Sequence, residues 1–198
     1  MNVSWLANHF KEGEIMSKKV LVLTASPRKN GNTDKMANAF IKGAEQAGHC
    51  VTKFETAFKN IGGCRACNTC WSTGTACSVK DDFNELEPLL ESCEVVLIST
   101  PLYWLSFPAQ IKGAIDKLYA YGGAGGLRKL AIKECYLFVC GGDTGEEEYK
   151  PIETMYQLSA DFLGWKDRGI LRTGGMDDEG AIEKSGILEK AEELGRSI

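Results

Sequence analysis

The sequence predicts a doubly wound α/β domain: a five-stranded parallel sheet in the order 2-1-3-4-5, with helices on both faces. Three observations carry this. Short apolar, β-branched runs alternate with stretches of helical spacing along the chain. The runs are apolar at successive residues, the pattern of strands covered on both sides. There are five of them, which suits this order better than the six-stranded dinucleotide-binding arrangement.

Residues 20–24 (VLVLT) read as the opening strand, with turn residues after it. Residues 32–47 set Met36, Ala37, Phe40, Ile41 and Ala44 on one helical face, and Gly48 closes that helix. Residues 51–54 form the second strand, and a cysteine-bearing loop follows. A helix at 81–92 then presents Phe83, Leu86, Leu89 and Leu90 on one side. The third strand is 94–99. The helix at 108–119 opens on Pro108, where a missing N–H does least harm. The fourth strand (135–139), a helix (153–163), the fifth strand (168–172) and a closing helix (181–194) complete the series. The glycine run at 122–126 reads as a flexible surface loop rather than a boundary, because strand–helix units continue on both sides.

With 198 residues and 43% apolar content the chain can bury a large core; a domain of this length hides roughly 70% of its unfolded surface. The net charge of −4, without clustered Lys and Arg, argues against nucleic acid. No apolar run reaches the ~18 residues of a membrane span. The opening MNVSWLANHFKEGEI lacks a basic start and a continuous apolar core, so it does not read as a secretory signal. A cytoplasmic protein is expected, in which the eight cysteines stay reduced and serve metal or redox chemistry rather than disulfides. Met16 resembles a natural start, so residues 1–17 read as an N-terminal extension before a single domain at 18–198. Two readings of the extension stay open: an appended leader, or an amphipathic segment docking through Trp5, Leu6 and Phe10.

The first strand runs through SPRKNGNT (26–33) directly into a helix. A helix N-terminus presents unpaired N–H groups and a partial positive charge, which suits an anion. Ser26, Asn32 and Thr33 add hydroxyl and amide donors, Gly31 lets the backbone bend, and Arg28 offers a charge-assisted bond. The motif is neither the Rossmann nor the Walker pattern. The turn reads as a phosphate cradle, or else as an ordinary turn in which Asn32 or Thr33 caps the helix.

The cysteine run CRACNTCWSTGTAC (64–77) places four of the eight cysteines within fourteen residues. Thiols at Cys64, Cys67 and Cys70 can curl around one centre, with Cys77 as a fourth ligand. A [4Fe–4S] cluster, a zinc ion and a loop without metal are three open readings. Zinc fits less well, because structural zinc sites place their paired knuckles far apart. Cys50, Cys93, Cys135 and Cys140 lie on or beside strands and read mostly as small buried apolar groups.

These segments together resemble the NADPH-dependent FMN reductase family, whose fold is flavodoxin-like, and within it the iron–sulfur flavoprotein branch. SPRKNGNT looks like that family's FMN-phosphate loop. TPLYW (100–104), continuing to Pro108, Lys112 and Asp116, matches a second segment, and the cysteine run ending in Asp81 and Asp82 a third. The likeness spans residues 18–198. It implies Ser26, Arg28, Asn30, Gly31, Asn32 and Thr33 around the phosphate. It further implies Pro101, Leu102, Tyr103, Trp104 and Ser106 against the isoalloxazine, with Cys140, Gly141, Gly142 and Asp143 on the pyrimidine side. Without the likeness, Tyr103 and Trp104 could equally pack the core. The implied activity is an FMN-dependent oxidoreductase that passes electrons from NAD(P)H to a quinone, a flavin or another small acceptor. No catalytic side chain is expected, since hydride transfer to a flavin requires no protein acid or base. The alternatives are an electron carrier with a [4Fe–4S] cluster on the cysteine loop, and a redox sensor. The likeness also implies a homodimer or homotetramer in which one subunit's cysteine loop covers its neighbour's flavin.

Overall fold

The computed structural model describes residues 16–122 and 126–198. The expectations for residues 1–15 and for the centre of the glycine loop lie outside the described residues. The elements are β1 (Lys19–Thr24), α1 (Asn32–Gln46), β2 (Cys50–Glu55), α2 (Phe83–Ser92), β3 (Val95–Pro101), α3 (Ala109–Lys117), β4 (Glu134–Cys140), α4 (Lys150–Leu163), β5 (Lys166–Thr173) and α5 (Ile187–Arg196). The five strands are parallel and ordered β2-β1-β3-β4-β5, as the pattern predicted.

Alternation along each strand sends side chains to two separate cores. Val20 and Val22, Val95 and Leu97, and Tyr136 and Phe138 meet α1 and α5 through Met36, Phe40 and Ala191. Leu21 and Leu23, Val96 and Ile98, and Leu137 and Val139 meet α2, α3 and α4 through Phe83, Leu86, Ile111, Ile152 and Tyr156. Phe40 is fully buried and sits edge-on to Tyr136 and Phe138, with ring centroids 5.1 and 5.5 Å away. On the same face α1 and α5 touch backbone to backbone. A Cβ on Gly43 would lie 2.0 Å from the Glu192 carbonyl oxygen, and one on Gly195 would lie 2.1 Å from that of Phe40.

Several boundaries differ from expectation, three of them by a change in how a helix begins or ends. The closing helix is not continuous: a 3-10 turn, Ala181–Lys184, is separated from α5 by Gly186 at φ +70°. The helix at 108–119 ends as α at Lys117 and tightens into a 3-10 turn, Leu118–Tyr121. Helix α4 starts at Lys150, because Pro151 occupies its first turn, where proline is tolerated. Among the described residues no helix is long and apolar enough to cross a membrane. Cys93, Cys135 and Cys140 are buried as expected, whereas Cys50, at the start of the edge strand β2, is exposed.

Candidate functional site

Parallel strands deliver all their outgoing loops to one edge of the sheet, and the crevice forms where the strand order reverses, between β1 and β3. The cleft found there, about 210 Å³ and open to solvent, is lined by the turns after β1, β3, β4 and β5. The first turn is shaped by its own short hydrogen bonds. The Arg28 N–H donates to Ser26 Oγ at 3.1 Å, and the Gly31 N–H to the Arg28 carbonyl at 3.2 Å. Asn30 stands in the left-handed region at φ 56°, and its N–H donates to Asp34 Oδ2 at 3.1 Å. Lys53 Nζ holds the other oxygen of Asp34 at 2.5 Å, so this first-turn carboxylate is neutralised by its partner. No side chain caps α1 at Gly31, which leaves first-turn N–H groups open beside the cleft. The alternative of a turn capped by Asn32 or Thr33 is therefore not the arrangement found.

Of the residues implied by the resemblance, Ser26, Arg28, Gly31, Asn32, Thr33, Pro101, Leu102, Tyr103, Cys140, Gly141 and Gly142 all line this cleft. Asn30, Trp104, Ser106 and Asp143 do not. Asn30 supplies the bend. The Asp143 carbonyl accepts the Tyr149 hydroxyl at 2.9 Å behind the wall. Tyr103 and Ser106 exchange backbone hydrogen bonds of 3.2 and 3.1 Å across a two-residue turn. That turn holds Trp104 at φ 49° and Leu105 at φ 62°, where Asn-Gly is the usual choice. It drives the Trp104 ring outward to 98% exposure instead of over the cleft.

Sequence reasoning missed Met176 and Asp177, which form the fourth wall. The available signal was GGMDDEG (174–180): it follows the fifth strand, where a loop must return to the same edge. Asp34, which braces Asn30, was missed as well. Burial at the end of β4 pushes the Cys140 thiol up to about 11 against a smaller opposing pull from Thr33, so it stays protonated at neutral pH.

The cysteine loop lies over the end of α3. Asp81 pins it: its Oδ2 accepts the Gly62 N–H at 2.9 Å and Lys117 Nζ at 2.5 Å, and its Oδ1 accepts the Phe83 N–H at 3.0 Å. Both side chains of that ion pair are buried, at 1% and 7% exposure. Burial raises the Asp81 carboxyl; Lys117 and the two N–H groups outweigh it and hold the group below its ordinary value. Farther along, Trp71 stacks on Tyr119 at 4.7 Å and donates from Nε1 to the Tyr119 carbonyl at 3.2 Å. Arg128 forks onto Glu91 and donates to the Gly74 carbonyl at 2.6 Å.

This stitching brings Cys64, Cys67, Cys70 and Cys77 around one small cavity of about 20 Å³. That is room for no more than a water molecule, so the loop must widen to take a four-iron cluster. Among the described residues, no three His, Cys, Asp or Glu groups stand close enough to share a single metal ion. The Thr69 hydroxyl donates to Cys67 Sγ at 3.3 Å. That bond, the Thr69 backbone and Ser78 lower the Cys67 thiol to about 7, whereas burial raises Cys70.

An open groove of about 860 Å³ between α3 and α4 is lined by apolar residues such as Ile115, Leu118, Met155 and Leu163. It has few polar groups to orient a ligand.

The family described as flavodoxin-like fold matches residues 18–197. An iron-sulfur flavoprotein of Archaeoglobus fulgidus is 38% identical over 104 residues, 52% of this chain and 47% of the relative. An FMN-dependent NADH:quinone oxidoreductase of Gluconobacter oxydans is 28% identical over 120 residues, 54% and 59% of the two chains. This chain spans about half the length of these curated relatives. Among solved structures, an NAD(P)H:quinone oxidoreductase from Methanothermobacter marburgensis superposes with a TM-score of 0.70 at 20% identity, covering 91% of this chain and 96% of the other; at that identity the likeness shows the fold. The sheet order, the cleft at its switch point and a match over nearly the whole domain agree: this chain belongs to the flavodoxin-like family.

Proposed function

We propose that the protein is an FMN-dependent oxidoreductase that takes electrons from NAD(P)H and passes them to a quinone, a flavin or another small acceptor. One observation carries the reading: four strand-end loops converge on a cleft whose floor is the uncapped start of α1. The donor set fits the cofactor. Open N–H groups at Asn32 and Thr33, with the Arg28 guanidinium, suit a phosphate dianion. Pro101, Leu102 and Tyr103 offer the apolar wall that a flat heterocycle needs. Gly141 and Gly142, which line the cleft, let the backbone approach the ring edge. Bound FMN would supply the hydride-accepting and electron-donating chemistry. The side chains bind and orient it, and no protein group is required to move a proton. Relatives bearing the names iron-sulfur flavoprotein and FMN-dependent NADH:quinone oxidoreductase support the same reading.

The test is uptake of FMN by the purified protein, followed by NADH and NADPH oxidation with a quinone acceptor. A colourless protein that binds no FMN rejects the proposal.

The convergence of four thiols on one cavity favours a second reading, an electron carrier whose cysteine loop holds a [4Fe–4S] cluster through Cys64, Cys67, Cys70 and Cys77. Iron and acid-labile sulfide analysis of anaerobically purified protein distinguishes it. We further propose a cytoplasmic homodimer or homotetramer in which the cysteine loop covers a neighbouring flavin. Sedimentation as a monomer rejects that assembly.

A further inference from the structure

We infer that the Asn32 side chain is a clasp: it fastens the loop at 174–182 to the start of α1, and so builds one wall of the flavin cleft instead of binding the cofactor's phosphate. The ligand in this inference rests on the flavin reading above; the geometry does not.

An asparagine side chain has two N–H donors and two acceptor sites. In Asn32 all four are occupied by one loop. Nδ2 donates to the carbonyls of Met176 at 3.0 Å and Asp178 at 2.8 Å. Oδ1 accepts the N–H groups of Gly180 at 3.0 Å and Ile182 at 3.4 Å. Reversing the amide would set its NH2 against two N–H groups and its carbonyl against two carbonyls, so the network fixes its orientation. No side-chain donor is left for a phosphate. Only the Asn32 backbone N–H remains available at the helix start.

Met176 and the buried Ile182 anchor the loop's two ends in the α1/α5 core, but the stretch between them packs little and relies on the clasp. The loop runs through Gly174, Gly175 at φ +70° and Gly180 at φ +80°. Asp177, Asp178 and Glu179 are exposed. A second seam joins the loop to the turn after β4: the Gly175 N–H donates to the Gly142 carbonyl and the Met176 N–H to the Gly141 carbonyl, both at 3.0 Å. Between the two seams, Met176 and Asp177 are carried into the cleft wall. Asn32 therefore couples the phosphate end of the cleft, where α1 begins, to the wall built from β5.

The two roles separate when FMN is compared with riboflavin, which lacks the phosphate. Binding of each is followed by quenching of flavin fluorescence in the wild type, Asn32→Ala, Asn32→Asp and, as a phosphate-site reference, Arg28→Ala. A clasp predicts that Asn32→Ala weakens both flavins by the same factor, about tenfold for the loss of these hydrogen bonds. Asn32→Asp, which keeps the shape but sets a carboxylate against two carbonyls, should do at least as much. Arg28→Ala should weaken FMN selectively. Loss of FMN affinity with riboflavin unchanged in Asn32→Ala overturns the inference, and so does no loss for either.

Hydrogen exchange provides the second readout. The Gly180 and Ile182 amides should exchange about tenfold faster in Asn32→Ala, with β3 amides unchanged. Unchanged protection at Gly180 and Ile182, or faster exchange throughout β3, counts against a local clasp. If the wild type takes up no flavin, the functional reading fails, and exchange at these two amides still decides whether the clasp exists.

Discussion

The turn after β1 and the loop after β2 each line a cavity, and they are built on opposite logic. In the first, the backbone is bent so that helix N–H groups are left open, and little of the body reaches over them. In the second, nearly every anchor is a side chain of the body: Asp81, Lys117, Tyr119, Glu91 and Arg128 hold the cysteine loop from several directions. The first presents donors for an anion. The second occupies its donors internally and presents soft sulfur atoms. The contrast teaches that a short turn can leave helix N–H groups open largely through its own backbone, whereas a loop of four thiols is held in shape by residues as many as 54 positions away. Backbone strain marks both regions. Asn30, Ala66, Asn68, Trp104 and Leu105 are the non-glycine residues at positive φ among those described, and all lie in these loops or in the turn after β3.

The sharpest way to break the comparison is to remove the pin of the cysteine loop. Asp81→Ala leaves Lys117 buried and unpaired, and should cost about 3–5 kcal/mol in urea unfolding. The Asp81 carboxyl binds its proton more weakly in the folded chain than in the unfolded one. Its stabilisation is therefore complete above about pH 4–5 and is lost as the pH falls through the lowered folded value. The gap between wild type and Asp81→Ala should narrow in acid; a gap that stays constant down to pH ~2 would contradict the pinning role.

At the other site, Arg28→Ala should weaken FMN binding by roughly 10- to 100-fold, the value of a charge-assisted hydrogen bond, and leave the unfolding midpoint nearly unchanged. Isothermal titration beside thermal unfolding checks both halves, and unchanged affinity removes Arg28 from the site. Gly174→Ala should affect both properties, because its Cβ would lie 2.1 Å from the backbone oxygen of Asp143. A backbone clash of this kind should destabilise by about 1–3 kcal/mol and open the cleft wall. Leu105→Gly gives the smallest effect and has the opposite sign. Glycine relieves the left-handed strain at φ 62° and should stabilise the isolated protomer by about 1 kcal/mol. A destabilised Leu105→Gly protomer would mean that the exposed Leu105 side chain packs in a way that outweighs the strain.

Much of this was legible in the chain. The two cores follow from strands apolar on both faces, and SPRKNGNT at the end of the first of them located the cleft. What was not legible came from contacts distant in sequence. Asn32 read as a phosphate donor because nothing local indicates that a loop almost 150 residues away occupies its amide. Trp104 read as a cleft wall because its neighbours are; the two-residue turn that points it outward depends on a hydrogen-bonded register that no periodicity reports. Met176 and Asp177 lay in a loop without an apolar pattern. Strand order, helix faces and the position of the turn after β1 are set by the sequence, because burial period and helix-end chemistry act over a few residues. Which side chains stay free to meet a ligand is decided only by the tertiary structure, because a polar group's availability depends on whether the rest of the chain has already satisfied it.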